Sequence, residues 1–150
     1  MRIVVFGTGG VGGYFGGRLA QSGQDVTFIA RGAHLDAIKA NGLKITSKKG
    51  DFAINPAQAT AYPKDIGVVD AVLIAVKAWS VAEAAEAIRP IVGPDTFILP
   101  LENGVEAPAQ LAEVYGVERV LGGLCRVISY IGEPGRIQHD GGDDFIAFGE

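Results

Sequence analysis

Compact blocks of apolar residues alternate along this chain with blocks in which apolar and polar residues are mixed. The compact blocks, such as the continuous apolar run over 71–76, are typical of strands covered on both faces of a sheet. The mixed blocks, such as 11–22, are typical of helices. In chain order the pattern predicts strand 2–6, helix 11–22, strand 25–30, helix 33–40, short strands over 43–46 and 51–55, strand 70–76, helix 81–88, strand 97–101, helix 107–115, strand 120–130, and short strands over 136–139 and 145–148.

This alternation predicts the fold class. Strands that alternate with helices are typical of an α/β fold, here a doubly wound and mostly parallel sheet of the Rossmann type. The tail after residue 120 has strand patterns and a turn signal at Gly132–Gly135, so we expect it to add antiparallel edge strands. Ser80 and Glu83 have the spacing of a capping box, which predicts the start of helix 81–88.

A glycine-rich turn joins the first predicted strand to the first predicted helix. It reads Gly7-Thr8-Gly9-Gly10-Val11-Gly12, the G-x-G-x-x-G pattern that holds the pyrophosphate of a dinucleotide in a βαβ unit. Gly7 permits the tight turn, Gly9 lets the phosphates approach the backbone, and Gly12 lets the helix pack against the strand. The alternative is a turn that serves packing alone, but the place of the motif between strand and helix favours binding.

The end of the second predicted strand indicates which dinucleotide binds. NAD-binding folds usually have an Asp or Glu about 20 residues after the glycines. This chain has Arg31 in that position, and a guanidinium can bind the 2′-phosphate of NADP. Arg31 therefore favours NADP over NAD, the alternative being a solvated surface arginine.

Two further polar residues follow predicted strands at the sheet edge where α/β folds bind ligands. Lys77 ends the apolar run over 71–76, and we expect it to emerge beside the cofactor. Asn103 follows strand 97–101, and its amide can hold a nicotinamide ribose or a substrate oxygen. A lysine in a solvated loop and an asparagine in an Asx turn are the alternatives.

Composition narrows the classes of function. The chain has 150 residues, the size of one domain, and a net charge of −4, which gives no general attraction to nucleic acid or to anionic membranes. No apolar run reaches the length of about 18 residues that indicates a membrane span. The single cysteine permits no intrachain disulfide, as expected for a cytoplasmic protein. We expect neither nucleic acid nor membrane as a partner.

The remaining titratable residues form no motif. His34 is interpreted as an exposed residue at a helix start, the alternative being a contact with the adenosine of the cofactor. His139 lies in a predicted edge strand, and Asp143-Asp144 is interpreted as part of a solvated turn. Two histidines and one cysteine show no zinc-binding spacing, so no metal site is predicted.

Taken together, these residues resemble those of a known family, the ketopantoate reductases (2-dehydropantoate 2-reductases). The resemblance covers essentially the whole chain. It implies an NADP-binding Rossmann domain over 1–150, and NADPH-dependent reduction of ketopantoate to pantoate in the synthesis of pantothenate and coenzyme A. The motifs that carry it are Gly7–Gly12, Arg31, Val76-Lys77-Ala78-Trp79, Glu102-Asn103-Gly104-Val105, Leu121-Gly122-Gly123, Pro134–His139 and Phe148-Gly149-Glu150.

The resemblance also implies roles for individual residues. The glycine loop would hold the pyrophosphate, Arg31 the 2′-phosphate and Lys77 the cofactor, while Asn103 would touch both cofactor and substrate. A small residue in a late strand also contacts cofactor in this family, and Ser129 is its nearest match here. Family members are about twice as long, and a helical second domain supplies the general acid. We expect that domain to be absent from this chain, so no catalytic residue is assigned and the chain alone is expected to be inactive.

Two other functions stay open. One is a stand-alone dinucleotide-sensing or regulatory domain without catalysis, and the other is a related 2-hydroxy acid dehydrogenase. For the reductase, the expected partner is a small 2-keto acid, and a homodimer is compatible with the sequence.

Overall fold

Five parallel strands form the central sheet of this protein. The structure is a computed structural model and describes residues 1–149. Its strands and helices are β1 (Arg2–Phe6), α1 (Gly10–Gln21), β2 (Asp25–Ile29), α2 (Gly32–Asn41), β3 (Leu43–Ser47), β4 (Phe52–Ile54), β5 (Gln58–Thr60), β6 (Val69–Ile74), α3 (Val81–Ala87), β7 (Val92–Pro100), α4 (Ala107–Tyr115), β8 (Gly122–Arg126), β9 (Ser129–Glu133), β10 (Arg136–His139) and β11 (Phe145–Gly149).

The strand order of the central sheet places a ligand site at its centre. The order is β5-β2-β1-β6-β7, and every pairing is parallel. The chain moves from β1 to β2 on one side and later returns to β6 on the other side of β1. Such a reversal opens a crevice outside the carboxyl ends of the strands. The predicted α/β fold is confirmed, and its switch point lies between β1 and β6.

Both faces of the central sheet are covered. Val4 and Val5 are neighbours in β1, so their side chains point to opposite faces of the sheet. Both are fully buried. Val5 packs in the core beneath α1, whereas Val4 packs with residues of α3 and α4. Helix α1 has 12 residues, the most of any α-helix in the described part of the chain. Within residues 1–149, no helix combines the length and the apolar character that crossing a membrane requires.

The antiparallel strands predicted for the tail are present, and they pair outside the central sheet. One further sheet has the order β4-β3-β10-β9, and β11 and β8 form a two-stranded ribbon. The predicted strand 120–130 is two strands, β8 and β9, which belong to these different sheets. The four-stranded sheet packs on α1, where Ile137 of β10 lies against Gly13. A Cβ added to Gly13 would lie 2.6 Å from the Ile137 side chain.

Helix α3 begins without the predicted capping box. Ser80 stands at the N-cap position but its side chain makes no capping hydrogen bond. Its backbone (φ −103°, ψ 3°) continues a 3-10 turn over Ala78–Ser80, so it lacks the extended conformation that presents a capping side chain. Glu83 accepts a hydrogen bond from Arg31 instead.

A buried polar cluster ties α1 to the tail. His139 is fully buried, with Nδ1 2.7 Å from the Ser47 hydroxyl and its ring stacked on Tyr14 at 4.1 Å between centroids. The Tyr14 hydroxyl donates to Asp144 at 2.8 Å, and the Lys49 ammonium pairs with the same carboxylate. The predictions of an edge-strand position for His139 and a solvated turn for Asp144 are therefore wrong, because the tail folds back over α1.

Titration of this cluster is perturbed by its surroundings. Burial lowers the pKa of His139. Desolvation raises the pKa of Asp144, but hydrogen bonds from Lys49 and Tyr14 to its carboxylate outweigh that effect and hold the pKa at about 2. At neutral pH the cluster thus contains a neutral imidazole and an ionised carboxylate.

Candidate functional site

The glycine loop lies at the carboxyl end of β1 and is hydrogen-bonded to the neighbouring strand β2. Gly7 has a φ of +102°, and a Cβ there would lie 2.7 Å from the Ala75 carbonyl oxygen, so only glycine fits. The Thr8 hydroxyl and N–H both donate to the Ile29 carbonyl, at 2.8 and 3.1 Å. The buried Thr8 side chain therefore fixes the loop to β2. The proton of its hydroxyl is used within the protein, so the expected contact of Thr8 with a cofactor would come from other atoms of this residue.

The next glycines have three different surroundings. A Cβ added to Gly9 would meet no atom within 4 Å, so this position faces open space, as a phosphate-binding loop requires. A Cβ on Gly12 would collide with the Gly7 carbonyl oxygen, which agrees with its predicted packing role. A Cβ on Gly10 would collide with the Ser129 carbonyl oxygen of β9. Gly10 thus permits contact with the tail, a requirement that the sequence did not reveal.

Two cavities meet at the glycine loop. The adenosine-side cavity, as we name it, has a volume of about 310 Å³ and is lined by residues that include Gly7, Thr8, Gly9 and Arg31. The nicotinamide-side cavity has a volume of about 710 Å³ and is lined by residues that include Gly9, Gly10, Val11, Lys77 and Asn103. Gly9, Val76 and Ile131 line both. Together the two cavities offer one site for an elongated ligand on either side of the loop.

The structure brings the predicted residues to this site from separate parts of the chain. Of the predicted cofactor-binding residues, Gly12 alone lines neither cavity, in keeping with its packing role. Lys77 and Asn103, both exposed, follow β6 and β7 at the carboxyl edge of the sheet. Trp79, the single tryptophan of the chain, lines the nicotinamide-side cavity and is 84% exposed.

Arg31 stands where the sequence placed it, two residues after the end of β2. Its guanidinium donates to the Glu83 carboxylate at 3.0 Å, and both side chains are largely exposed. An exposed ion pair of this kind contributes about 0–1 kcal/mol to stability, so the guanidinium can exchange its partner at little cost. Glu83 also lines the adenosine-side cavity. The sequence pattern placed Glu83 in a capping box and therefore did not predict this position.

His34 links the glycine loop to the tail. The Gly135 N–H donates to its Nδ1 at 2.9 Å, and its Nε2 lies 2.7 Å from the Thr8 carbonyl oxygen. Since a carbonyl can only accept, Nε2 carries the proton and the neutral ring satisfies both partners. The interpretation of His34 as an exposed residue is wrong, because this half-buried ring lines the adenosine-side cavity.

Glu102 is a half-buried acid in the nicotinamide-side cavity. Its Oε1 accepts the Val76 N–H at 3.2 Å, while Oε2 is buried without a hydrogen-bond partner among residues 1–149. Burial raises the pKa of Glu102 to about 7, although backbone N–H groups, that of Val76 among them, act to lower it. The sequence showed this residue beside Asn103 but gave no sign of its burial. Ser129 Oγ, on the wall of this cavity, is a second buried atom without a hydrogen-bond partner in the part of the chain that the structure describes.

The residues present fit a phosphorylated dinucleotide. Helix α1 begins at Gly10 and directs the unpaired N–H groups of its first turn to the space beside Gly9, where an anion is stabilised. A guanidinium lies at the adenosine side, and an ammonium and an amide lie at the other side. The unpartnered atoms of Glu102 and Ser129 add polar groups that a ligand can satisfy.

Known proteins with similar sequences indicate the family of this chain. The family model described as ketopantoate reductase PanE/ApbA matches residues 3–150. The chain is 39% identical to an uncharacterized oxidoreductase, YkpB, of Bacillus subtilis (strain 168), in an alignment that covers 100% of this chain and 49% of that protein. It is 32% identical to the 2-dehydropantoate 2-reductase of Mesorhizobium japonicum, covering 97% of this chain and 51% of that protein.

A solved structure shows the same likeness. The crystal structure of 2-dehydropantoate 2-reductase from Geobacter metallireducens GS-15 matches with a TM-score of 0.95 and 39% identity, covering 100% of this chain and 49% of that one. The chain therefore spans about half the length of the relatives it matches.

Proposed function

The chain belongs to the ketopantoate reductase family, and from this premise we propose that it is the NADPH-binding half of a 2-dehydropantoate 2-reductase. The observation that carries the proposal is the open position of Gly9 between two cavities, with Arg31 on one side and Lys77 and Asn103 on the other. The reaction would reduce the 2-keto group of ketopantoate to the hydroxyl of pantoate, a precursor of pantothenate and coenzyme A. The compartment that we propose is the cytoplasm.

At the adenosine side, the chain would bind phosphates. The N–H groups at the start of α1 would hold the pyrophosphate. The Arg31 guanidinium would leave Glu83 and form a bidentate pair with the 2′-phosphate, which NADH lacks. The exposed position of Arg31 in the wall of the adenosine-side cavity supports NADP as the preferred cofactor.

At the nicotinamide side, the chain would orient the reacting groups. NADPH, when bound, supplies the hydride. Asn103 would donate its amide N–H to a substrate or ribose oxygen, and Lys77 would hold the cofactor. Reduction of a carbonyl also needs a proton donor for the developing alkoxide. The proposal places this donor in the half of the relatives that lies beyond the match, and a small 2-keto acid is the partner it implies.

A related dehydrogenase acting on another 2-hydroxy acid is the second candidate. We retain this candidate because the Bacillus subtilis relative is named as an oxidoreductase without a stated substrate. A sensor domain without catalysis has less support, because sensing does not require Lys77 and Asn103 at the nicotinamide side.

The test is a binding titration followed by an activity assay. Residues 1–150 should bind NADPH with a saturable change in Trp79 fluorescence and should not oxidise it when ketopantoate is added. Absence of NADPH binding would overturn the proposal, and ketopantoate turnover by residues 1–150 would overturn the placement of the proton donor. A longer protein that contains residues 1–150 and a second half like that of the relatives would separate the two enzymatic candidates. The rate of NADPH oxidation would be compared among several 2-keto acids.

A further inference from the structure

We propose that Glu102 is a proton-linked residue of the cofactor site, neutral beside the reduced nicotinamide ring and ionised beside the oxidised ring. The inference deepens the proposed function and rests on it, because it places the nicotinamide ring in the nicotinamide-side cavity. It assigns to Glu102 a role in distinguishing the two oxidation states of the cofactor.

The geometry gives Glu102 a fixed position with one free oxygen. Its backbone follows β7 at the carboxyl edge of the sheet, and Oε1 accepts the N–H of Val76, two residues after β6. The Oε2 atom is buried and has no partner within residues 1–149. Because Oε1 accepts a hydrogen bond, the proton of the neutral acid would reside on Oε2. A buried polar atom left unpaired is unfavourable, so a ligand group that pairs with it in the cavity would be favoured there.

The charges that face Glu102 are few. The titratable side chains that line the same cavity are Lys77 after β6, Cys125 on β8 and Tyr130 on β9. The exposed Lys77 is the one basic side chain among the lining residues, and water screens its charge. Cys125 donates to the Leu101 carbonyl oxygen at 3.5 Å, and burial, followed by the Glu102 charge, raises the pKa of its thiol. Glu102 is thus the acid in this cavity whose ionisation a nearby ligand charge can change near neutral pH.

The chemistry of the cofactor supplies such a change in charge. The dihydronicotinamide ring is neutral, and it becomes a cation when the hydride leaves with its electron pair. A cation nearby stabilises the carboxylate, whereas the carboxylate of a 2-keto acid substrate stabilises the neutral acid. Glu102 would therefore keep its proton with NADPH and substrate present and release it to solvent with NADP⁺. The proton that reaches the substrate oxygen is a separate one, supplied by the general acid of the proposed function.

The test is the pH dependence of a ratio of dissociation constants. NADP⁺ and NADPH are titrated against residues 1–150 from about pH 5.5 to about pH 8.5, with Trp79 fluorescence as the readout. Both ligands carry the same 2′-phosphate, so its own ionisation near pH 6 cancels in the ratio. We expect the affinity for NADP⁺ relative to NADPH to rise several-fold as the pH passes through about 7.

Two variants isolate Glu102. Glu102→Gln keeps an oxygen for the Val76 N–H but cannot ionise, so the ratio should become independent of pH. Glu106→Gln makes the same change at an exposed position that does not line the nicotinamide-side cavity, and its ratio should follow the native curve. A flat native ratio, or an unchanged pH dependence in Glu102→Gln, would overturn the inference.

A second measurement needs no variant. Calorimetric titration of the native chain with NADP⁺ near pH 7, in two buffers with different ionisation enthalpies, counts the protons released. Protons released on binding of NADP⁺ but not on binding of NADPH would support the inference. The same number of protons exchanged with both cofactors would contradict it. Failure to bind either dinucleotide would instead overturn the proposed function, so the two outcomes are distinguishable.

Discussion

The Arg31 guanidinium lies 3.0 Å from the Glu83 carboxylate, at the wall of the cavity beside the end of β2. Arg31 and Glu83 are 52 residues apart, and the pair joins the turn after β2 to the first turn of α3. In the proposed complex the 2′-phosphate takes the place of this carboxylate. Glu83 is therefore a competitor for the same guanidinium.

Glu83→Gln should raise the affinity for NADPH several-fold, because it removes a carboxylate that competes with the 2′-phosphate and repels it. The affinity for NADH should change little. Glu86→Gln is the matched control, since Glu86 lies on the same helix and pairs with Arg89 at 2.7 Å. Titrations of Trp79 fluorescence measure both ligands. A weaker affinity for NADPH in Glu83→Gln would instead mean that Glu83 holds Arg31 in its binding position.

Gly9→Val should abolish NADPH binding while leaving the fold intact. Its side chain would enter the open space beside the loop, which the phosphates need. Gly10→Val provides the contrast, because its Cβ would collide with the backbone of Ser129 and should destabilise the fold by about 1–3 kcal/mol. Urea unfolding separates the two effects. Retained NADPH affinity in a folded Gly9→Val variant would show that the loop is structural only.

The contribution of His139 to stability should be lost as the pH drops below about 6.5. Burial lowers the pKa of the folded imidazole, so below that pH the unfolded chain binds a proton that the folded chain does not. The loss is at most about 1.4 kcal/mol for each pH unit. Asp144, with a folded pKa of about 2 against an ordinary value of 3.8, adds a further loss as the pH falls from about 4 towards about 2.

The measurement of this pH effect is a comparison between variants. Glu102, whose folded pKa is raised to about 7 from 4.5, acts in the opposite direction between those values and makes the protein more stable as the pH falls. Urea unfolding of the native chain and of His139→Gln at several pH values therefore isolates the histidine. The variant should lose less stability than the native chain between about pH 6.5 and pH 5. Parallel curves would contradict the assignment.

The site residues that the sequence predicted could be placed from the motif and from the strand that each residue follows. The Gly7–Gly12 motif and the strand before it are contiguous, so the turn, the helix start and the place of Arg31 follow from one short stretch. Lys77 and Asn103 follow apolar runs whose carboxyl ends must share one edge of a parallel sheet. Such inferences need the order of the elements but no knowledge of their tertiary contacts.

The residues that the sequence did not reveal depend on distant partners. His34 meets Gly135 across 101 positions, because β10 returns to pair in parallel with β3. The same return buries His139 and places Ser129 against Gly10. The sequence pattern of the tail predicted strands but not the strands with which they pair. Neither the four-stranded sheet β4-β3-β10-β9 nor these contacts could therefore be derived from the sequence. The burial of Glu102 likewise depends on how the tail covers the end of β7.

Parallel titration of the native chain and of Arg31→Ala with NADPH and NADH tests the central claim most directly. The native chain should bind NADPH at least about tenfold more tightly than NADH, because a guanidinium–phosphate pair adds roughly 1.5–3 kcal/mol. Arg31→Ala should lose most of that preference and keep its affinity for NADH. Equal affinities of the native chain for the two cofactors, or an undiminished preference in Arg31→Ala, would contradict the account.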